Sequence, residues 1–63
     1  MRIIGKHLGR VVIFRQNGCI KIGQGDRARY CIGRVWPLES ERPMDAILRA
    51  EKIADRLNGE MGL

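Results

Sequence analysis

Two turn signals set inside a run of alternating apolar residues constrain this chain most. From Arg10 the β-formers Val11, Val12, Ile13 and Phe14 lead to Asn17-Gly18. A second apolar segment runs from Cys19 to Gly23, and Gln24-Gly25-Asp26 marks another reversal before Tyr30, Cys31 and Ile32. Both central positions of a type I′ hairpin need positive φ, which Asn and Gly tolerate, so Asn17-Gly18 predicts a tight two-residue turn. Three strands joined by short turns make an antiparallel meander between Arg10 and Trp36.

The register follows from the first turn. A two-residue hairpin places Ile13 opposite Ile22 and Arg15 opposite Ile20. One face then carries Val11, Ile13, Ile20 and Ile22, and the other carries Val12, Phe14, Gln16, Cys19 and Lys21. The second turn decides the third strand. A two-residue Gly25-Asp26 loop sets Arg29 beside Ile22, in the core. A three-residue loop, Gly25-Asp26-Arg27, sets Tyr30 opposite Ile22 and Ile32 opposite Ile20. A one-residue slip moves every side chain to the other face, so burial favours the three-residue loop. Tyr30 and Ile32 are then expected in the core, with Arg29 and Cys31 on the outer face.

Trp36-Pro37 ends the sheet, because proline removes a ladder donor and restricts the residue before it. After a polar connection, Leu38 to Arg42, a helix is predicted from Pro43 to Asn58. Proline suits its first turn, Ser40 or Arg42 its cap, and Gly59 its C-terminal stop. Ala46, Ile47, Ala50, Ile53, Ala54 and Leu57 form an apolar stripe about 120° wide. Met44 and Leu48 fall outside it, where they cover a sheet edge or meet a partner. The expected fold is α+β, a three-stranded antiparallel β-meander packed against one C-terminal α-helix. It forms a single β-β-β-α domain over residues 1–63, with 1–9 an extra short strand or flexible arm and 59–63 a frayed tail.

Sixty-three residues bury too little to enclose a deep substrate pocket. The chain carries 12 Lys and Arg against 7 Asp and Glu, a net charge of +5, and nine of the twelve cations are arginines. Arginine's planar fork of donors suits phosphate, guanine or carboxylate.

Catalysis finds no support in the residues. Gly23-Gln24-Gly25 has a glycine-rich look but no Lys-Ser/Thr pair and no following helix, so it reads as a hairpin turn. His7 has no paired acid or nucleophile nearby in sequence. Cys19 and Cys31 lack metal spacing and read as free thiols of a reducing cytoplasm. The acidic residues gather from Glu39 onward and suit a helix start and a solvated helix face. No cofactor, metal or membrane span is expected.

Binding is better supported. The predicted outer sheet face carries Arg10, Val12, Phe14, Gln16, Lys21 and Arg29, with Arg27 at the turn and Arg15 at the rim of the apolar face. A strand ribbon enters a DNA major groove, where Arg and Gln read base edges and Lys binds phosphate. Phe14 and Val12 among charges mark an interface. With only three aromatic residues, a base-stacking platform for single strands is disfavoured.

The run Phe14-Arg15-Gln16-Asn17-Gly18, the strand Cys19 to Gly23, the Gly25 turn and Ile32-Gly33-Arg34 resemble the amino-terminal arm-binding domain of phage tyrosine integrases. The resemblance covers residues 10–58. It implies a three-stranded sheet inserted into a major groove, with Arg15, Lys21, Arg27 and Arg29 on the binding strands. The second strand lacks that family's aromatics, and the turn lacks a Thr-Gly-Lys type motif. In size and charge the chain is also similar to small phage and mobile-element proteins that bind and inhibit host proteins. The expected partner is therefore duplex DNA or, alternatively, a host protein. A homodimer through a strand edge or through Met44 and Leu48 is a third arrangement.

Overall fold

The computed structural model describes residues 6–62. A short 3₁₀ turn (Lys6–Leu8) precedes three strands, β1 (Val11–Gln16), β2 (Cys19–Gln24) and β3 (Tyr30–Val35), and one helix, α1 (Pro43–Glu60). The sheet is antiparallel in the order β1-β2-β3, so the architecture is the expected α+β meander with a C-terminal helix. The strand or arm expected at Arg2-Ile3-Ile4 lies outside the described residues.

The first hairpin follows from its turn chemistry. Asn17 and Gly18 have φ of 51° and 78°, as a type I′ turn requires. The ladder then pairs Ile13 with Ile22 and Arg15 with Ile20, as the sequence predicts.

The second connection differs from expectation. It spans five residues, Gly25 to Arg29, rather than three, and includes a 3₁₀ turn at Asp26–Ala28. The Ala28 N–H donates to the Gly25 carbonyl at 2.9 Å, and the Arg29 N–H to the Asp26 carbonyl at 3.1 Å. A bulge follows. Ile22 pairs with Gly33 and Gly23 with Cys31, leaving Ile32 as the extra residue. Two corrections result. Ile20 faces Val35 rather than Ile32, and Ile22 faces Gly33 rather than Tyr30. Val35 is buried, Ile32 only packs against the core from its side, and Tyr30 is 39% exposed. The physical reason is that strict alternation fails wherever a bulge inserts a residue.

Helix α1 lays its predicted stripe on the inner sheet face. Ala46, Ala50, Ala54 and Leu57 are buried against Val11, Ile20, Ile22 and Val35, with Ile13, Ile47 and Ile53 at the margin. Small alanines let the helix approach the strands closely. Pro43 opens the helix, and the Arg42 N–H donates to the Asp45 carboxylate at 3.3 Å. The helix continues past the expected stop at Gly59 to Glu60. Met61 is buried in the core, and the positive φ of 78° falls on Gly62 instead. Residues 59 and 60, expected to fray, are thus helical though exposed, and Met61 is packed.

Two polar side chains hold the far end together. Asn58, buried in α1, accepts from the Val11 N–H at 2.6 Å and donates to the Val11 carbonyl at 3.0 Å. Gln24, buried in β2, donates to the Gly9 carbonyl at 3.0 Å. At the near end Arg49 grips the connection, with Nη2 2.8 Å from the Glu41 carboxylate and 2.9 Å from the Trp36 carbonyl. Hydrogen bonding from Arg49, then from the Leu38 N–H, holds the Glu41 carboxyl below its usual range. A depressed folded-state value contributes stability above the ordinary carboxylate pKa and loses it as pH falls through the folded value.

Candidate nucleic-acid interface

Because α1 covers only one side of the sheet, the alternate residues of each strand face away from the helix. The observed register aligns Phe14 of β1, Lys21 of β2 and Arg34 of β3 in one row across that outer face. The neighbouring row is Val12, Gly23 and Cys31. Val12 and Arg34 are exposed, and Phe14 and Lys21 are half-buried.

Gly23 shapes the middle of this face. A β-carbon there would lie 2.7 Å from the Ala28 Cβ and 3.1 Å from Phe14 Cε1. The Ala28 methyl and the Phe14 ring therefore meet over a position that only glycine fits. To reach it, Arg27 and Ala28 both adopt left-handed backbone, each with φ of 53°. That conformation costs roughly 1–2 kcal/mol for a residue with a β-carbon. The strained pair sits directly beside the cationic loop residue Arg29.

Charge is divided between the two layers. Residues 10–35 carry Arg10, Arg15, Lys21, Arg27, Arg29 and Arg34 against the single carboxylate Asp26. Among the described residues the ion pairs are Arg49–Glu41 and Arg56–Glu60, both outside the sheet. Lys21 and Arg34 are direct cross-strand neighbours. Like charges in that arrangement repel, and no carboxylate pairs with either among the described residues. Lys21 Nζ instead donates to Gln16 Oε1 on β1. An anion laid across the row relieves this repulsion.

The structure brings together some of the residues singled out in the sequence and separates others. Phe14, Gln16 and Lys21 share the outer face. Arg10 precedes β1 and is exposed. Arg15 does not belong to the row, because it lies opposite Ile20 and shares the helix side of the sheet. Arg27 occupies the β2–β3 loop. Arg29, expected on a strand of the outer face, lies in that loop too, with its guanidinium carbon 5.6 Å from the Tyr30 ring centroid. Arg34 was not among the predicted contacts. Gly33 beside it was the available signal, since glycine inside a strand marks a bulge that shifts the register.

The remaining chemistry is sparse. Cys19 is a buried free thiol and Cys31 an exposed one. Among the described residues no group of three or more His, Cys, Asp or Glu side chains is placed to hold a metal ion. No described helix is long and apolar enough to cross a membrane. No family model, curated protein or solved structure matches the chain.

Proposed function

We propose that the chain is a non-enzymatic duplex-DNA-binding module that applies the sheet face opposite α1 to the nucleic acid. The observation that carries this reading is the Phe14–Lys21–Arg34 row on the sheet face opposite α1, whose two cations have no carboxylate partner among the described residues. Three strands about 4.8 Å apart span roughly 10 Å, which suits a major groove about 12 Å wide. Lys21 and Arg34 supply phosphate contacts, or a guanine contact in the case of Arg34. Gln16 lies within reach of base edges, and Phe14 and Val12 pack on sugars or thymine methyls. Arg27 and Arg29 extend the cationic surface at one end and Arg10 at another. A role as an accessory factor of a phage or mobile element, in a cytoplasm that keeps Cys19 and Cys31 reduced, fits this reading and the integrase-type resemblance.

The test is an anisotropy titration of a labelled duplex at two salt concentrations. With about four phosphate contacts, affinity should fall on the order of 100-fold between about 50 and 200 mM salt. Absence of binding at the lower salt would sink the idea.

A protein partner is the second reading, and a different surface favours it. Trp36 and Met44 are 60% and 61% exposed, with Leu38 and Leu48 also open to solvent. Exposed apolar groups rimmed by charge suit a protein interface. On that reading the module inhibits an acidic host protein, and it yields a stoichiometric protein complex with little affinity for duplex.

A further inference from the structure

Among the described residues the sheet has two open edges, and only one of them is blunted. The β3 edge is broken by the Ile32 bulge and bears Arg34. The β1 edge runs Val11–Gln16 with neither bulge nor proline. Unprotected edges of this kind are templates for pairing with another strand.

The pairing rules say which backbone groups this edge offers. Residues flanking a two-residue hairpin turn form a hydrogen-bonded pair, so Gln16, Phe14 and Val12 direct their N–H and C=O groups toward β2. Val11, Ile13 and Arg15 direct theirs outward. Asn58 takes both groups of Val11. Among the described residues nothing takes those of Ile13 or Arg15. The open edge is therefore two residues' worth of donors and acceptors, centred on Phe14.

Charge then selects the occupant. A groove of about 330 Å³ runs between this edge and α1, lined by Ile13, Ala54, Glu51 and Asp55 among others. Glu51 and Asp55 have no cation paired to them among the described residues, and Arg15, on the helix side of β1, has no carboxylate. We infer that the β1 edge pairs with the same edge of a second copy of this chain, antiparallel, about a two-fold axis at Phe14. Ile13 of each copy then exchanges hydrogen bonds with Arg15 of the other. Arg15 arrives beside the other copy's Ile13, and so at its Glu51. The edge is self-complementary in backbone groups and in charge, as an isologous interface requires. The dimer stands whether or not the chain binds DNA.

Sedimentation of nuclease-treated protein at high concentration tests this. The wild type should sediment at twice the 7.2 kDa chain mass. Arg15→Glu and Glu51→Arg should each weaken dimerisation at least about tenfold, because like charges then face each other twice across the axis. The double substitution should restore it. All three variants change exposed side chains, and circular dichroism checks that they fold. As an independent measure of register, Phe14→Cys in a Cys31→Ser background should oxidise to a covalent dimer, since the two sulfurs would meet at the axis. A monomeric wild type, a dimer indifferent to the single reversals, or no rescue in the double variant would overturn the inference.

Discussion

Asn58→Ala should remove most of this domain's stability. The Asn58 amide is buried in α1 and satisfies both the N–H and the carbonyl of Val11, at 2.6 and 3.0 Å. Alanine leaves both backbone groups without a partner beside the helix and opens a void. An unsatisfied buried polar group costs about 1–3 kcal/mol, so the pair is worth roughly 3 kcal/mol. A domain of this size has only about 3–5 kcal/mol to lose. Thermal or urea unfolding should show a broad, early transition or none. Asn58→Asp sharpens the test. A protonated Asp keeps both hydrogen bonds, whereas an ionised one buries a charge against the Val11 carbonyl. Its folded pKa is raised, so stability should be retained near pH 3–4 and lost as pH climbs through the folded value. A variant that is indifferent to pH and stable as alanine would mean that the amide does not hold α1 to β1.

Lys21→Glu with Arg34→Glu should abolish duplex binding while leaving the fold intact. Each phosphate contact carries about 0.9 of a log unit in affinity per decade of salt, so near 0.1 M two contacts are worth on the order of 100-fold. Reversal adds repulsion to that loss. Arg34 is exposed and Lys21 half-buried, and neither joins the apolar core, so the melting temperature should move by only a few degrees. Lys52→Glu with Arg56→Glu makes the same change in net charge on exposed positions of the helix. That control should lose far less affinity if the sheet face makes the contacts. Equal losses in the two double variants would mean that net charge alone drives binding.

The two halves of the sheet were unequally legible. The β1–β2 register was readable because Asn17-Gly18 admits one turn geometry, and that geometry propagates along an unbroken ladder. The helix was readable because its stripe of alanines and isoleucines keeps a 3.6-residue period. The β2–β3 register was not, because its turn depends on packing across the sheet face, where Ala28 and Phe14 of β1 both approach Gly23. Ala28 goes left-handed to set its methyl over Gly23, lengthening the loop to five residues, and Ile32 then bulges out. Neither choice follows from local propensity, since alanine disfavours that backbone. The consequence for the site is direct. With alternation unbroken, Tyr30 and Ile32 enter the core and Arg29 faces outward. With the bulge, Val35 enters the core and Arg34 comes beside Lys21. Asn58 escaped notice for a related reason, as an asparagine near a helix end reads as punctuation until its inward partner on β1 is seen.

In the proposed mode the sheet face opposite α1, rather than the helix, meets the nucleic acid. Backbone amide shifts recorded during titration with a short duplex locate the contact residue by residue. Saturable, salt-sensitive changes should concentrate at Val12, Phe14, Gln16, Lys21 and Arg34, with the amides of Leu48 and Lys52 nearly still. Changes centred on Trp36, Met44 and Leu48, or no saturable change at low salt, would contradict it.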